Sequence, residues 1–171
     1  FGVNFTADKK TLLIIGGSLG ARTINQSIIA HLPELLQSDI QVIWQTGKNY
    51  FADCEKAFTE SGIHNSKFII QNFISQMPLA YELCLLGKPS ILVPSPNVAE
   101  DHQTHNAMAL VKKDAAVLVK DVNAQNDLIS TALSLIQDNS QLEILHKNIL
   151  TLALPDSARL IAEEVIKLAK N

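Results

Sequence analysis

The chain has 171 residues, 47% hydrophobic and 18% charged, proportions that suit one folded domain with a substantial core. Its 14 Lys and Arg stand against 17 Asp and Glu, a net charge of −3, which removes any general electrostatic case for nucleic-acid binding. The two cysteines, Cys54 and Cys84, make neither a CxxC pair nor a disulfide framework and point to a reducing compartment, and no apolar run is long enough to span a membrane.

The opening FGVNFTADKK lacks an initiating Met and the charged-then-apolar order of a signal peptide, and the expectation is a chain cut from something larger. Leu12, Leu13, Ile14 and Ile15 then read as a short, fully buried parallel strand, ended by Gly16 and Gly17. Ser18 offers a hydroxyl, Gly20 keeps the turn open, and helix begins near Ala21. Unpaired amides and the helix dipole at such a junction suit an anion, although a GGS turn can also simply join strand to helix. GGSLGAR is neither a GxGxxG nor a GxxxxGK[ST] motif, so by itself it indicates a nucleotide or phosphate and nothing finer.

Apolar residues at helical spacing predict a helix over 21–37, with Pro33 marking a kink or a new first turn. IQVIW predicts a strand over 40–44, the turn 45–48 follows, and a helix covers 49–61. A third strand spans 66–71, followed by the apolar trio Phe73, Ile74 and Met77. A short helix closes at Gly87 and Lys88, PSILVP gives a strand over 89–94, and a polar loop leads to a helix over 102–112. A strand over 115–119, a helix over 123–137 and a helical remainder complete the chain. Alternation with short joins predicts an α/β fold, a Rossmann-like, doubly wound and mostly parallel sheet with ligands at the strand C-termini. Ser18, Thr46 and Lys48, Ile74, and residues 100–106 collect there. One join breaks the pattern: at Tyr81–Glu82 helix runs into helix where a strand and a glycine turn are due. Either the protein has lost an element or residues are absent from the sequence at that point, and the second is the expectation.

No Ser-His-Asp spacing, catalytic carboxylate pair or HExxH occurs. His102 and His105 could share a helix face as metal ligands, but no further ligand accompanies them, and no metal is expected. The tract EDHQTHN (100–106) is rich in groups that hydrogen-bond hydroxyls and suits a sugar, or else a solvated helix start. Glu82 could grip a ribose diol or be an ordinary helix-start acid.

Taken together, GGSLGARTINQ (16–26), IWQTGK (43–48), FI with Met77 (73–77), ELCLLGKPSILVP (82–94), EDHQTHNA (100–107) and LPDSA (154–158) resemble the MurG family of N-acetylglucosaminyltransferases. The likeness runs in order along nearly the whole chain and corresponds to the C-terminal half of those proteins. It implies the C-terminal domain of a two-domain GT-B glycosyltransferase. On this resemblance residues 1–171 bind UDP-N-acetylglucosamine, and an absent N-terminal domain holds lipid I and supplies any general base.

The implied reaction is inverting transfer of N-acetylglucosamine to the 4-hydroxyl of lipid-linked MurNAc-pentapeptide, completing the peptidoglycan precursor lipid II. It needs no cofactor, occurs peripherally on the cytoplasmic face of the bacterial plasma membrane, and is not expected of this domain alone. By the same resemblance Gly16, Gly17, Ser18 and Gly20 meet the UDP phosphates, Ile74 meets uracil through its backbone, and Met77 walls the base. Glu82 accepts both ribose hydroxyls, and His102, Gln103 and Asn106 read the amino sugar. Many members carry a second glutamine where His102 stands, and the family's RxG[AS] turn before the acid is missing here. The alternatives are the donor domain of another UDP-sugar glycosyltransferase or epimerase, or a non-catalytic nucleotide-binding module.

Overall fold

In the computed structural model, β1 (Thr11–Ile15), β2 (Gln41–Gln45) and β3 (Phe68–Gln71) form a parallel sheet in the order β1-β2-β3. The structure describes residues 5–16, 21–62, 67–74, 84–96 and 102–153, with 156, 159, 162–163 and 165–167 near the C-terminus. The register sets Ile14 beside Trp44 and Trp44 beside Ile70. Val42 and Trp44 on one face of the central strand and Gln41 and Gln45 on the other are buried, as expected for a strand covered on both faces. Phe68 meets Trp44 edge-on, with ring centroids 6.3 Å apart, and Phe58 stacks on Phe68 at 4.9 Å.

Of the two outcomes expected at Pro33, a kink or a new first turn, the structure has the second: the segment 21–37 is two helices, α1 (Arg22–Ala30) and α2 (Leu32–Gln37). His31 leaves helical geometry between them (φ −118°, ψ 20°), and Pro33 falls in the first turn of α2, where a missing N–H costs no helical bond. α3 (Phe51–Glu60) connects β2 to β3. The second half of the described chain holds β4 (Ile91–Leu92), α4 (His102–Val111), β5 (Val117–Leu118), α5 (Asp121–Gln137) and α6 (Asn139–Leu150). Strands β4 and β5 are shorter than the sequence predicts and pair in parallel, extended by Val117 N–H to Ser90 O (2.9 Å) and Val119 N–H to Leu92 O (3.0 Å).

Where one continuous sheet was expected, the described strands form two, β1-β2-β3 and β4-β5. β1 lies on an edge of the first sheet, and Leu13, in the middle of its apolar run, is 38% exposed. One core nevertheless runs beneath both sheets. It contains Ile28, Leu35, Val42, Trp44, Val119 and Ile129, with Ile91 and Val93 packed against it.

Helix α1 ties the halves together by lying on α5. Ala124, fully buried, allows close approach; Ser27 Oγ donates to its carbonyl at 2.7 Å, and Thr23 Oγ1 donates to Asp121 Oδ2 at 3.1 Å. At the N-terminal end of β1, Lys10 Nζ donates to Ile136 O and Asn139 Oδ1, both at 2.6 Å, putting a cation on the negative end of α5. Nearby, Asp39 is bridged by Lys9 and Lys67, which hold its carboxyl below the usual carboxylate range.

A second, smaller core of Cys84, Ala115 and Ile149 lies under α6. There Gly87 adopts φ +61°, and the imidazole Nδ1 of His146 meets its carbonyl oxygen at 2.6 Å.

Candidate nucleotide-sugar site

The C-terminal end of the first sheet is held by polar side chains that are themselves buried. β2 ends on Gln45, fully buried, whose carbonyl and side-chain oxygen both accept from Gly16 N–H, at 3.3 and 3.0 Å. The other end of that amide, Nε2, donates to Asn72 O at 3.4 Å, just beyond β3. Thr46 continues the ladder through its N–H to Gln71 O (2.9 Å), and its hydroxyl lies 3.1 Å from Gly47 O. From α1, Asn25 donates through Nδ2 to Thr46 O at 2.8 Å and accepts from Trp44 Nε1–H at 2.9 Å. The ends of β1, β2 and β3 and the first turns of α1 therefore belong to one network.

α1 follows the glycine-rich segment and starts at Arg22 without a side-chain cap or an acid in its first turn. No described side chain caps the N–H groups of that turn, and the carboxylate of Asp121 meets it through the Thr23 hydroxyl. Lys48, exposed, sits with Nζ 5.7 Å from the centroid of the Phe73 ring, a cation–π contact beside the stretch leading to Ile74. Arg22, Asn25, Tyr50 and Asp53 help line a cleft of about 380 Å³ between α1 and α3. Cys54, on the same cleft, is 1% exposed; burial, reinforced by the charge of Asp53, pushes its thiol up to about 11, which keeps it protonated and unsuited to nucleophilic chemistry.

Gly16 lies at the end of β1 with its N–H engaged inward by Gln45, so an anion would have to be met by other amides. Ile74, half-buried, follows the C-terminal end of β3. Gln103 and Asn106 lie one turn apart and exposed on α4. The Gln103 Oε1 accepts from Ser95 N–H at 2.9 Å, which ties α4 to the loop after β4 and leaves the amide nitrogen to donate. His102 opens α4, and its side chain lies outside the described residues, as do Gly17, Ser18, Gly20, Met77 and Glu82. Thr46, grouped by the sequence with the strand-end polar residues, is fully buried and serves the network. Gln45 and Asn25 were missed, although polar residues in IQVIWQ and at a core-facing helical position are a legible signal. Among the described residues no group of three or more His, Cys, Asp and Glu side chains is placed to hold a metal, and no helix is long and apolar enough to cross a membrane.

Residues 11–83 and 80–161 match the family described as glycosyltransferase family 28 C-terminal domain. A relative from Bacteroides thetaiotaomicron, named UDP-N-acetylglucosamine–N-acetylmuramyl-(pentapeptide) pyrophosphoryl-undecaprenol N-acetylglucosamine transferase, is 50% identical over 184 residues, covering 98% of this chain and 49% of its own length. A relative of the same name from Bacteroides fragilis is 50% identical over 188 residues, covering 100% and 49%. The chain spans about half the length of these relatives. Among solved structures, MurG of Acinetobacter baumannii superposes with a TM-score of 0.74 at 24% identity, over 95% of this chain and 51% of the other, and shares the fold.

Proposed function

The chain belongs to the glycosyltransferase family 28 C-terminal domains, and on that premise we propose that it is the donor-binding half of a peptidoglycan glycosyltransferase. In this reading the whole protein transfers N-acetylglucosamine from UDP-N-acetylglucosamine to the 4-hydroxyl of lipid-linked MurNAc-pentapeptide, with inversion, at the cytoplasmic face of the plasma membrane. The acceptor lipid, any general base and the membrane contact belong to an N-terminal half, and the chain alone turns nothing over. The observation that carries the reading is the joined C-terminal end of the first sheet, where β1 leads to the start of α1 and β3 leads to Ile74.

The chemistry follows from these parts. As the glycosidic bond breaks, negative charge grows on the departing diphosphate, and amides at a helix start stabilise it without reorganising. The residues assigned to this are Gly17, Ser18 and Gly20, with Gly16 setting where the segment departs. Ile74 offers its backbone to uracil, Met77 walls the base and Glu82 accepts from the ribose diol. Gln103, held by Ser95, directs its amide nitrogen at the sugar oxygens, with His102 and Asn106 beside it.

We also propose that a segment is absent between Tyr81 and Glu82. The two family matches meet at residues 80–83, and the Bacteroides fragilis alignment runs over 188 residues against 171 here, a difference of 17. In the doubly wound order 3-2-1-4-5-6 the fourth strand lies beside the first. A strand restored at this point would join the outer edge of β1 to β4 and cover Leu13.

Calorimetric titration with UDP-N-acetylglucosamine tests the donor assignment. Weak, uracil-dependent binding that is lost in Glu82→Ala is the expected result; unchanged binding in that variant overturns the role of Glu82.

A further inference from the structure

Gln45 has a consequence beyond folding. Its side chain is fully buried at the end of the central strand, and burying an amide is unfavourable unless it is hydrogen-bonded. Yet the Gly16 N–H already has a main-chain acceptor in Gln45 O at 3.3 Å, so the ladder does not require the side chain. Among its bonds the side chain adds a shorter second one to that N–H, at 3.0 Å, and a reach in the opposite direction to Asn72 O at 3.4 Å. One planar amide thus fixes the last residue before the glycine-rich segment relative to the residue two before Ile74.

We infer that Gln45 is a positioning residue for a nucleoside diphosphate, setting the spacing between the segment that meets the diphosphate and the stretch that meets the base. This rests on the donor-site reading above. A ligand that spans both places depends on the spacing, and a fragment that occupies one of them does not. Preorganisation of this kind raises affinity by removing the cost of arranging two contact regions at once.

The test uses the 171-residue chain with Gln45→Met, close in size and without strong hydrogen bonds, and Gln45→Glu, which keeps an acceptor toward Gly16 but sets an oxygen against Asn72 O. Binding of UDP, uridine and inorganic pyrophosphate is followed by NMR titration, and folding by circular dichroism. The expected result is folded variants in which UDP binds about tenfold more weakly, the scale of one buried hydrogen bond, while uridine and pyrophosphate each change by less than about twofold. Equal losses for all three ligands, no loss for UDP, or unfolding of both variants would overturn the inference, the last by making the amide a requirement of the fold. Failure of the unaltered chain to bind UDP would instead overturn the donor-site reading.

Discussion

Trp44 Nε1–H donates to Asn25 Oδ1 at 2.9 Å inside the core, so the largest side chain of β2 is oriented by a polar residue of α1. The same Asn25 turns its amide nitrogen to Thr46 O. Asn25→Ala removes both bonds and leaves the indole N–H buried without that acceptor. The expected cost is about 3 kcal/mol of unfolding free energy, measured by urea titration, because an orphaned buried donor adds to the loss of two bonds. A cost under about 0.5 kcal/mol, as at an ordinary surface position, would contradict this role.

Gly87 occupies the left-handed region at φ +61°, and a Cβ there would lie 2.5 Å from His146 Nδ1 and 2.9 Å from Leu150 Cγ. Gly87→Ala therefore combines backbone strain with a collision against α6, and a loss of about 2 to 4 kcal/mol is expected by the same titration. Gly62 shares the positive φ, at +67°, but a Cβ there meets nothing within 4 Å, so Gly62→Ala should cost only about 1 kcal/mol of strain. Equal costs at the two positions would refute the packing argument.

Much of this fold is legible in the sequence, because the signals that fix it are local. The apolar run at Leu12–Ile15, the helical spacing after Ala21 and the IQVIW strand each declare an element through side-chain periodicity. The break at His31 was hidden because the apolar face of α2 continues that of α1, and only Pro33 hinted at it. The division of the described strands into two sheets was not legible from periodicity, since strand pairing is a long-range property. At the site, Gln45 escaped notice because its role depends on Gly16 and Asn72, 29 and 27 residues away. The tract 100–106 stood out for its chemistry and Gln103 within it through the family resemblance, but the bond of Gln103 to Ser95 N–H is a tertiary contact that no spacing reveals.

Cys54 gives a pH dependence with a defined sign. Its thiol ionises near 9.0 when unperturbed and at about 11 in the folded chain, through burial first and the charge of Asp53 second. Above pH 9 the unfolded chain releases a proton that the folded chain retains, so the contribution is full below 9 and is lost as pH rises through about 11. The urea midpoint should fall across that interval, and Cys54→Val should reduce the slope. An identical slope in the variant would assign the effect to other groups.

Insertion of the corresponding residues of the Bacteroides fragilis relative between Tyr81 and Glu82 should raise the thermal midpoint, because a central strand would bury Leu13 and the open edge of β4. At about 25 cal/mol per Å² of apolar surface removed from water, even a short strand contributes several kcal/mol. Calorimetry showing no rise, or a lower midpoint, would contradict a gap between Tyr81 and Glu82.

The donor-half account is tested most directly by an amide-resolved NMR titration of the chain with UDP-N-acetylglucosamine. Shifts should move at Gly16, Ile74, Gln103 and Asn106, at the strand ends and on α4, and remain still at Lys10 and Asn139, which meet at the opposite end of β1. An adenine nucleotide sugar at the same concentration should produce far smaller changes. Shifts confined to the Lys10 end, or equal responses to the two nucleotides, would contradict the assignment of this chain as a UDP-sugar-binding half.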